Sequence, residues 1–243
     1  MNQEQNLRWL VLSGVTESVG EQPVNRLKVK KTDSASIISV SAEDTNTPSA
    51  LHIAEGLANE AENLEDLYKK RLNFEECPLK KTAMHTLNGW GSSNPDVMCI
   101  VEAPDTPDEK EGRLMSGEAG ILLDKMLNAI GLNLNKNAYV SSLIPWRPPG
   151  NRAPTEAELT LCRPFFDKEI DLVNPKILLL MGGGVSKALL GISALSKARG
   201  TWYNYRERLV RVSLSPATLL KIPAQKKQAW EDLQQIKIKL EKV

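Results

Sequence analysis

The chain has 243 residues, 41% of them hydrophobic and 25% charged, enough to bury one substantial core and carry a small appendage. Its 31 basic and 30 acidic residues leave a net charge of +1, which excludes neither nucleic acid nor protein partners, because a local patch matters more than the total. No apolar run reaches the ~18 residues of a membrane span, and three scattered cysteines are too few for a disulfide framework or a four-cysteine metal site. The opening Met1-Asn-Gln-Glu-Gln lacks the charged-then-apolar pattern of a secretory signal, so a cytoplasmic location is expected.

In chain order, Leu7, Leu10 and Val11 predict a short amphipathic helix with Gly14 as its stop, inside an N-terminal helical segment spanning residues 1–27. Residues 28–50 mix a basic run with Ser, Thr, Asn and Pro, show no durable period, and are expected to form a flexible linker. The remainder, 51–243, is expected to be an α/β domain with a leading helix over 51–72, striped by Leu57, Ala61, Leu64, Leu67 and Tyr68. His52 and His85 have no further His beside them for metal-ligand spacing and are expected to be structural or surface residues.

Four apolar residues among Val97–Val101 fit a strand buried on both faces, with Cys99 as plain core, and Ala103-Pro104 ends it where open α/β sheets place ligand crevices. A long polar loop follows, and from Gly120 onward Ile121, Leu123, Met126, Leu127 and Ile130 keep helical spacing. Residues 138–144 predict a second strand, followed by an irregular loop through Pro154 that carries Arg147, Arg152 and an exposed-looking Trp146. Thr155 and Glu158 form a capping box for a helix turning Leu159, Cys162, Phe166 and Ile170 inward, with Pro164 expected to kink it. Residues 176–181 predict a third strand; Gly182-Gly-Gly184 then makes a tight turn into a helix rather than a phosphate loop, since the Walker and dinucleotide patterns are absent. A fourth strand at 208–214 and a terminal helix striped by Trp230, Leu233, Ile236 and Leu240 complete an alternation that implies a mostly parallel sheet covered on both faces.

Several motifs in this order resemble the uracil-DNA glycosylase superfamily, and within it the type often called family 4, over residues 77–233. Glu102-Ala103-Pro104 is similar to the core of that family's first loop, continued by Gly112-Arg113, Gly117 and Ala119-Gly120. Arg147-Pro-Pro-Gly-Asn-Arg152 matches its Arg-Pro-Pro segment, Arg199-Gly-Thr-Trp202 its Arg-Gly-x-Trp, and Pro216-Ala-Thr-Leu-Leu-Lys221 its final loop. The resemblance implies a three-layer α/β/α sandwich around a short, mostly parallel four-stranded sheet, here with an N-terminal helical extension. It also implies DNA as partner, and hydrolysis of the N-glycosidic bond of uracil or a related damaged base after extrusion of the nucleotide.

The same comparison marks substitutions. Ser142 stands where the family's base-reading Asn belongs, Ser215 where its His belongs, and Met115 where an aromatic residue stacks on the base. Val101 and Asp105 replace loop glycines, the latter placing a carboxylate where a phosphate would approach. The expected catalytic set is therefore Glu102, Ser142 and Ser215, with Ala103, Pro104 and Met115 in the base pocket and Trp146, Arg147, Asn151, Arg152 and Lys221 contacting DNA. Of the four thiolates of the family's iron–sulfur cluster only Cys77 and Cys162 remain, with Phe74 and Trp146 at the other places, so no cluster, other cofactor or metal is expected and apolar bulk fills the space. Activity is expected to be weak or altered; the alternative is a catalytically inactive DNA-binding or protein-interaction module on the same fold.

Overall fold

Every residue of β2 (Val97–Val101), β3 (Ala138–Ser142) and β4 (Ile177–Met181) is buried, as the continuous apolar runs of β2 and β4 require when both faces of a parallel sheet are covered, and β3 buries Ser141 and Ser142 as well. They come from a computed structural model that describes residues 49–242. The expected N-terminal helix and the linker up to residue 48 lie outside the described residues. The sheet has the order β1-β3-β2-β4-β6-β5, where β1 is Trp90–Gly91, β5 is Trp202–Tyr205 and β6 is Arg208–Ser213. The four central strands run parallel, as the sequence implies, and an antiparallel strand is added at each edge. Six strands therefore replace the expected four. Two residues of β1 carry no period, and β5 is half exposed.

Alternation along the central strands divides the core into two layers. Val97, Cys99, Val101, Ile177 and Leu179 face α4 (Gly117–Asn128) and α9 (Lys226–Leu240), which follow α3 (Thr106–Glu111) and α8 (Pro216–Lys221) respectively. Met98, Ile100, Leu178, Leu180 and Val212 face α5 (Glu156–Val173) and α6 (Gly183–Leu190), which precede the short α7 (Leu195–Ala198). This is a three-layer α/β/α sandwich. Helix α5 has the predicted capping box, with the Glu158 N–H donating to Thr155 Oγ1 at 3.3 Å, and it runs through Pro164 to Val173. In α9, Leu233 and Ile236 are buried as predicted, while Trp230 is 40% exposed and leaves the stripe. The neighbouring turn position is taken by buried Asp232, whose carboxylate accepts from Arg199 at 2.7 Å and from Arg211 at 3.0 Å, so Arg211 holds α9 to β6 and the Arg of the Arg-Gly-x-Trp segment ties the chain before β5 to the same carboxylate.

The leading helix expected over 51–72 is two helices, α1 (Ala50–Asn59) and α2 (Leu64–Asn73). Ser49 caps the first, so the predicted linker ends before it; Asn63 caps the second by accepting from Asp66 N at 3.0 Å, and that cap breaks the helical run. Both helices pack on α5 through Ala54, Ala58 and Leu67. A buried polar network adds direction to this contact. The Glu169 carboxylate on α5 accepts from Arg71 at 2.7 Å, from the Tyr68 hydroxyl at 3.2 Å and from the Tyr139 hydroxyl at 3.1 Å. Gly89 allows it, because a Cβ there would overlap both the Glu169 carboxylate and the Tyr139 ring.

Removing one partner of a buried ion pair leaves the other charge uncompensated, which costs about 3–5 kcal/mol. Glu169→Ala is therefore expected to lower the stability of the chain by about that amount in urea denaturation, through the stranded Arg71 guanidinium. A loss below ~1 kcal/mol would show that α2 does not depend on this network.

Candidate active site

The four parallel strands end on one side, and there the exits of β2, β4 and β6 meet around a cavity of ≈ 280 Å³. Val101 and Glu102 line it from β2, Met181 and Gly182 from β4, and Ser215 from the segment after β6. Ligand crevices of open α/β sheets lie in this position, and the volume is at the lower end for small-molecule pockets.

Glu102 is half-buried and stands between this cavity and a second one of ≈ 370 Å³ lined by Pro154, Leu159 and Lys187. Its carboxylate lies on Gly184 in the first turn of α6, where a Cβ would overlap it. Burial raises the Glu102 pKa, and Lys187 opposes that rise. Among the described residues no hydrogen bond or ion pair engages its oxygens, so the carboxylate remains available. The three glycines after β4 thus serve a carboxylate and a turn, with Gly182 at φ 115° in a conformation that side chains rarely adopt.

The facing wall is the loop that the sequence analysis left without structure. It folds as α3, capped reciprocally by Asp105 and Asp108: the Asp108 N–H donates to Asp105 Oδ1 at 3.1 Å and the Asp105 N–H to Asp108 Oδ2 at 3.2 Å. Asp105, expected to repel phosphate, is thus a helix cap. Asp108 also accepts the Ser116 N–H at 2.7 Å, tying both ends of the loop together. Between them Met115 takes the left-handed conformation, φ 54°, and its carbonyl lies where a Cβ on residue 120 would overlap it, which explains Gly120. Met115 lines the cavity and is 8% exposed. Burial pushes the Asp108 carboxyl up to about 6 in spite of its two N–H donors. Asp108 sits in an acidic run that reads as solvated surface; the signal in the sequence was the Asp-x-x-Asp capping spacing.

The other predicted residues divide. Ser215 lines the cavity and caps α8, its Oγ accepting from the Thr218 N–H at 3.2 Å. Ala103 lines the cavity, and Pro104 is buried beside it. Ser142 does not line it: its hydroxyl donates to the Ile144 carbonyl at 2.7 Å, while its backbone pairs in register with Val101, one residue before Glu102. Trp146 is not exposed and offers no face to DNA. It is 1% exposed, with its indole N–H donating to Thr86 Oγ1 at 3.0 Å. Arg147 is paired with Glu109 at 2.5 Å and also donates to the Asn151 side chain at 3.2 Å. Arg152 is bidentate to Glu158 at 2.6 and 2.8 Å, and its hydrogen bond holds the Glu158 carboxyl down to about 2. These side chains brace the 145–154 loop. Lys221 is exposed on α8 beside the exposed Leu220 and Ile222.

Phe74, Cys77, Trp146 and Cys162 do meet, in one apolar cluster with Phe165, whose ring centroid lies 5.2 Å from that of Phe74. A hydrogen bond from the Cys162 thiol lowers the Cys77 pKa. Two thiols packed against two aromatic side chains do not fit a cluster that needs four thiolates. Among the described residues no group of three or more His, Cys, Asp or Glu is placed to hold a metal ion. A further cavity, ≈ 550 Å³, lies between α1, α5 and α6, where Arg163 and Arg206 already pair with Asp167 at 3.1 and 3.8 Å.

A three-layer sandwich whose parallel strands deliver a carboxylate, a glycine turn and a helix-capping hydroxyl to one pocket defines an α/β domain with a cavity at its strand ends. The profile of the Uracil DNA glycosylase superfamily matches residues 88–234. The type-4 uracil-DNA glycosylase of Sulfurisphaera tokodaii is 31% identical over 186 residues, covering 72% of this chain and 84% of that protein. The type-4 uracil-DNA glycosylases of Saccharolobus solfataricus and Pyrobaculum aerophilum are each 29% identical, over 72% and 70% of this chain and 86% and 91% of their own lengths. The chain belongs to the uracil-DNA glycosylase superfamily.

The contact of Glu102 with Gly184 is testable as a pair. Gly184→Ala alone is expected to cost about 0.5–1.5 kcal/mol, because the atoms a Cβ would displace are the end of the flexible Glu102 side chain. With Glu102→Ala in the same chain most of that cost should disappear in a double-mutant cycle. Additive losses would mean that the two residues do not touch.

Proposed function

We propose that this chain hydrolyses the N-glycosidic bond of uracil or a related damaged base in DNA, with altered selectivity and rate. The observation that carries this reading is the 280 Å³ cavity in which an unpaired Glu102 meets Met115 and Ser215 at the strand ends of a glycosylase fold. A base inside a duplex is out of reach of such a pocket and must be extruded into it. Leu220 and Ile222 stand exposed on α8 and directly after it, with Lys221 between them, and Ser215 at the cavity caps that helix. Apolar side chains beside a cation suit insertion between base steps and contact with the phosphate backbone.

In the pocket, Met115 supplies a polarizable surface to the base and the Ser215 hydroxyl a single hydrogen-bonding group. Glu102 is placed to orient water and to support positive charge on the sugar. A four-thiolate cluster plays no part in this reading, because the aromatic side chains of Phe74 and Trp146 occupy the positions of two ligands. One observation favours the alternative of a non-catalytic DNA-binding module. The hydroxyl of Ser142 is committed to Ile144, so the base edge loses the reader that the resemblance would place there.

The test is single-turnover release of bases from oligonucleotides carrying uracil or other deaminated bases, with protein in excess and abasic sites cleaved afterwards. Release above blank is expected, unchanged by prior treatment with an iron chelator and reduced ~10²-fold or more by Glu102→Gln. Binding of the same DNA with no base released from any oligonucleotide would establish the module instead.

A further inference from the structure

Cys77 and Cys162 come from segments far apart in the chain, yet both thiols are free and buried in the apolar cluster that joins α2 to α5. Cys77 stands just after α2, at the start of the single helical turn Pro78–Lys81, and Cys162 lies within α5. Their side chains are hydrogen-bonded to one another, Cys162 donating. Neither lines the pocket at the strand ends. The third cysteine, Cys99, is an internal comparison: it sits mid-strand in β2, in a different cluster, and burial alone pushes its thiol up to about 12. Two thiols in contact have two uses open to them. They pack as small apolar groups, or they give up two electrons and close.

We propose that Cys77 and Cys162 are a reversible redox pair, which a peroxide closes to a disulfide that staples the end of α2 to α5 and which a dithiol reopens. The step balances. The Cys77 thiolate attacks one oxygen of hydrogen peroxide, the O–O bond breaks, and the departing hydroxide leaves as water with the proton that Cys77 has given up, so the sulfur becomes a sulfenic acid. The Cys162 sulfur then attacks that sulfur. The S–S bond forms, the S–O bond breaks, and hydroxide leaves with the Cys162 proton as a second water. Two thiols have lost two electrons and the peroxide has gained them. A dithiol reverses the bond by exchange and carries the oxidation away as its own disulfide.

The surroundings separate the two roles. Chiefly through the hydrogen bond from Cys162, with the Leu79 and Lys80 N–H groups adding to it against burial, Cys77 ionises more readily than an ordinary thiol. Through that same bond, and then burial, Cys162 keeps its proton to a higher pH. Cys77 is thus the attacking thiol and Cys162 the resolving one. A cavity of ≈ 400 Å³ lined by Lys80, Ala83 and Trp146 opens beside the pair, and Ala83 and Trp146 pack in the same cluster as the two sulfurs. It brings an oxidant as small as hydrogen peroxide to the edge of that cluster. The bond would close a loop of about 85 residues holding β1, β2 and β3, and a loop of that size removes much of the freedom of the unfolded chain. On the folded side it asks for no new order, since the Arg71–Glu169 pair already fixes α2 against α5.

The experiment treats the full chain with hydrogen peroxide under native conditions, then unfolds it in an alkylating buffer and maps its peptides. The expected product is a chain lighter by two hydrogens, with Cys77 joined to Cys162 and Cys99 alone alkylated. Its melting temperature should lie ~5–15 °C above that of the reduced chain. Dithiothreitol should restore all three alkylated cysteines and the lower melting temperature. Cys162→Ala is expected to leave Cys77 as a sulfenic acid that dimedone traps, and Cys99→Ala to keep the crosslink. Should Cys162→Ala fail to fold, the peptide map of the unmodified chain decides independently. Three unoxidised thiols after treatment, oxygen added to Cys77 with no crosslink, or a bond that includes Cys99 would each overturn the inference.

Discussion

Glu102 leaves the end of β2 and lays its carboxylate across Gly184 in the first turn of α6, a contact that exists because residue 184 has no Cβ. The rest of the site is arranged around that approach. On one side of the carboxylate lies the cavity of Met115 and Ser215, and on the other the cavity of Lys187. The parallel register of β2, β4 and β6 brings the three exits together, and the backbone turn at Gly182 keeps α6 close enough for the carboxylate to reach its first turn. Any side chain at 184 would drive Glu102 into one cavity or the other.

The opposite wall is held by hydrogen bonds instead of packing. Asp108 grips the backbone at Asp105 and at Ser116, and so fixes a loop that must carry Met115 through a left-handed conformation. Both sides of the pocket are therefore positioned by acidic residues that also line it. Burial of those acids costs free energy, and near a reacting group that cost is what raises a carboxyl into a range where it can exchange protons. Asp108 both holds the loop and lines the cavity, so its substitution would disturb the loop as well as the pocket.

Away from the pocket, the domain is joined to α1 and α2 by apolar and ionic contacts. Phe74, Trp146 and the two thiols form one seam, and Arg71 with Glu169 forms another. The 145–154 loop is anchored from within by Trp146 and braced by Arg147 on Glu109 and Arg152 on Glu158. The indole of Trp146 thus holds the loop by burial.

The central strands were legible because a sheet covered on both faces needs uninterrupted apolar runs, and Val97–Val101 and Ile177–Met181 have little else. The capping box at Thr155 and Glu158 was legible for the same local reason. Trp90–Gly91 and Trp202–Tyr205 were not, since edge pairing depends on a neighbour distant in sequence. Trp146 misled because prolines and arginines around it suggest a solvated loop, although the arginines turn to carboxylates and the indole turns inward. Ser142 was placed by resemblance, and its hydroxyl bonds a carbonyl two residues on at the end of β3, beside Val101. Asp108 was hidden in a charged run, and its burial follows only from the way the loop closes on Ser116. Glu102 and Ser215 were found through resemblance, and the structure brings them to one cavity.

The claim that this cavity receives an extruded base is tested most directly by a crystal structure of the chain with a duplex whose target nucleotide carries uracil on a 2′-fluorinated sugar that resists cleavage. The base should lie in the cavity against Met115 and Ser215, with Leu220 or Ile222 in the gap it leaves. A base still stacked in the duplex, above an empty cavity, would contradict it.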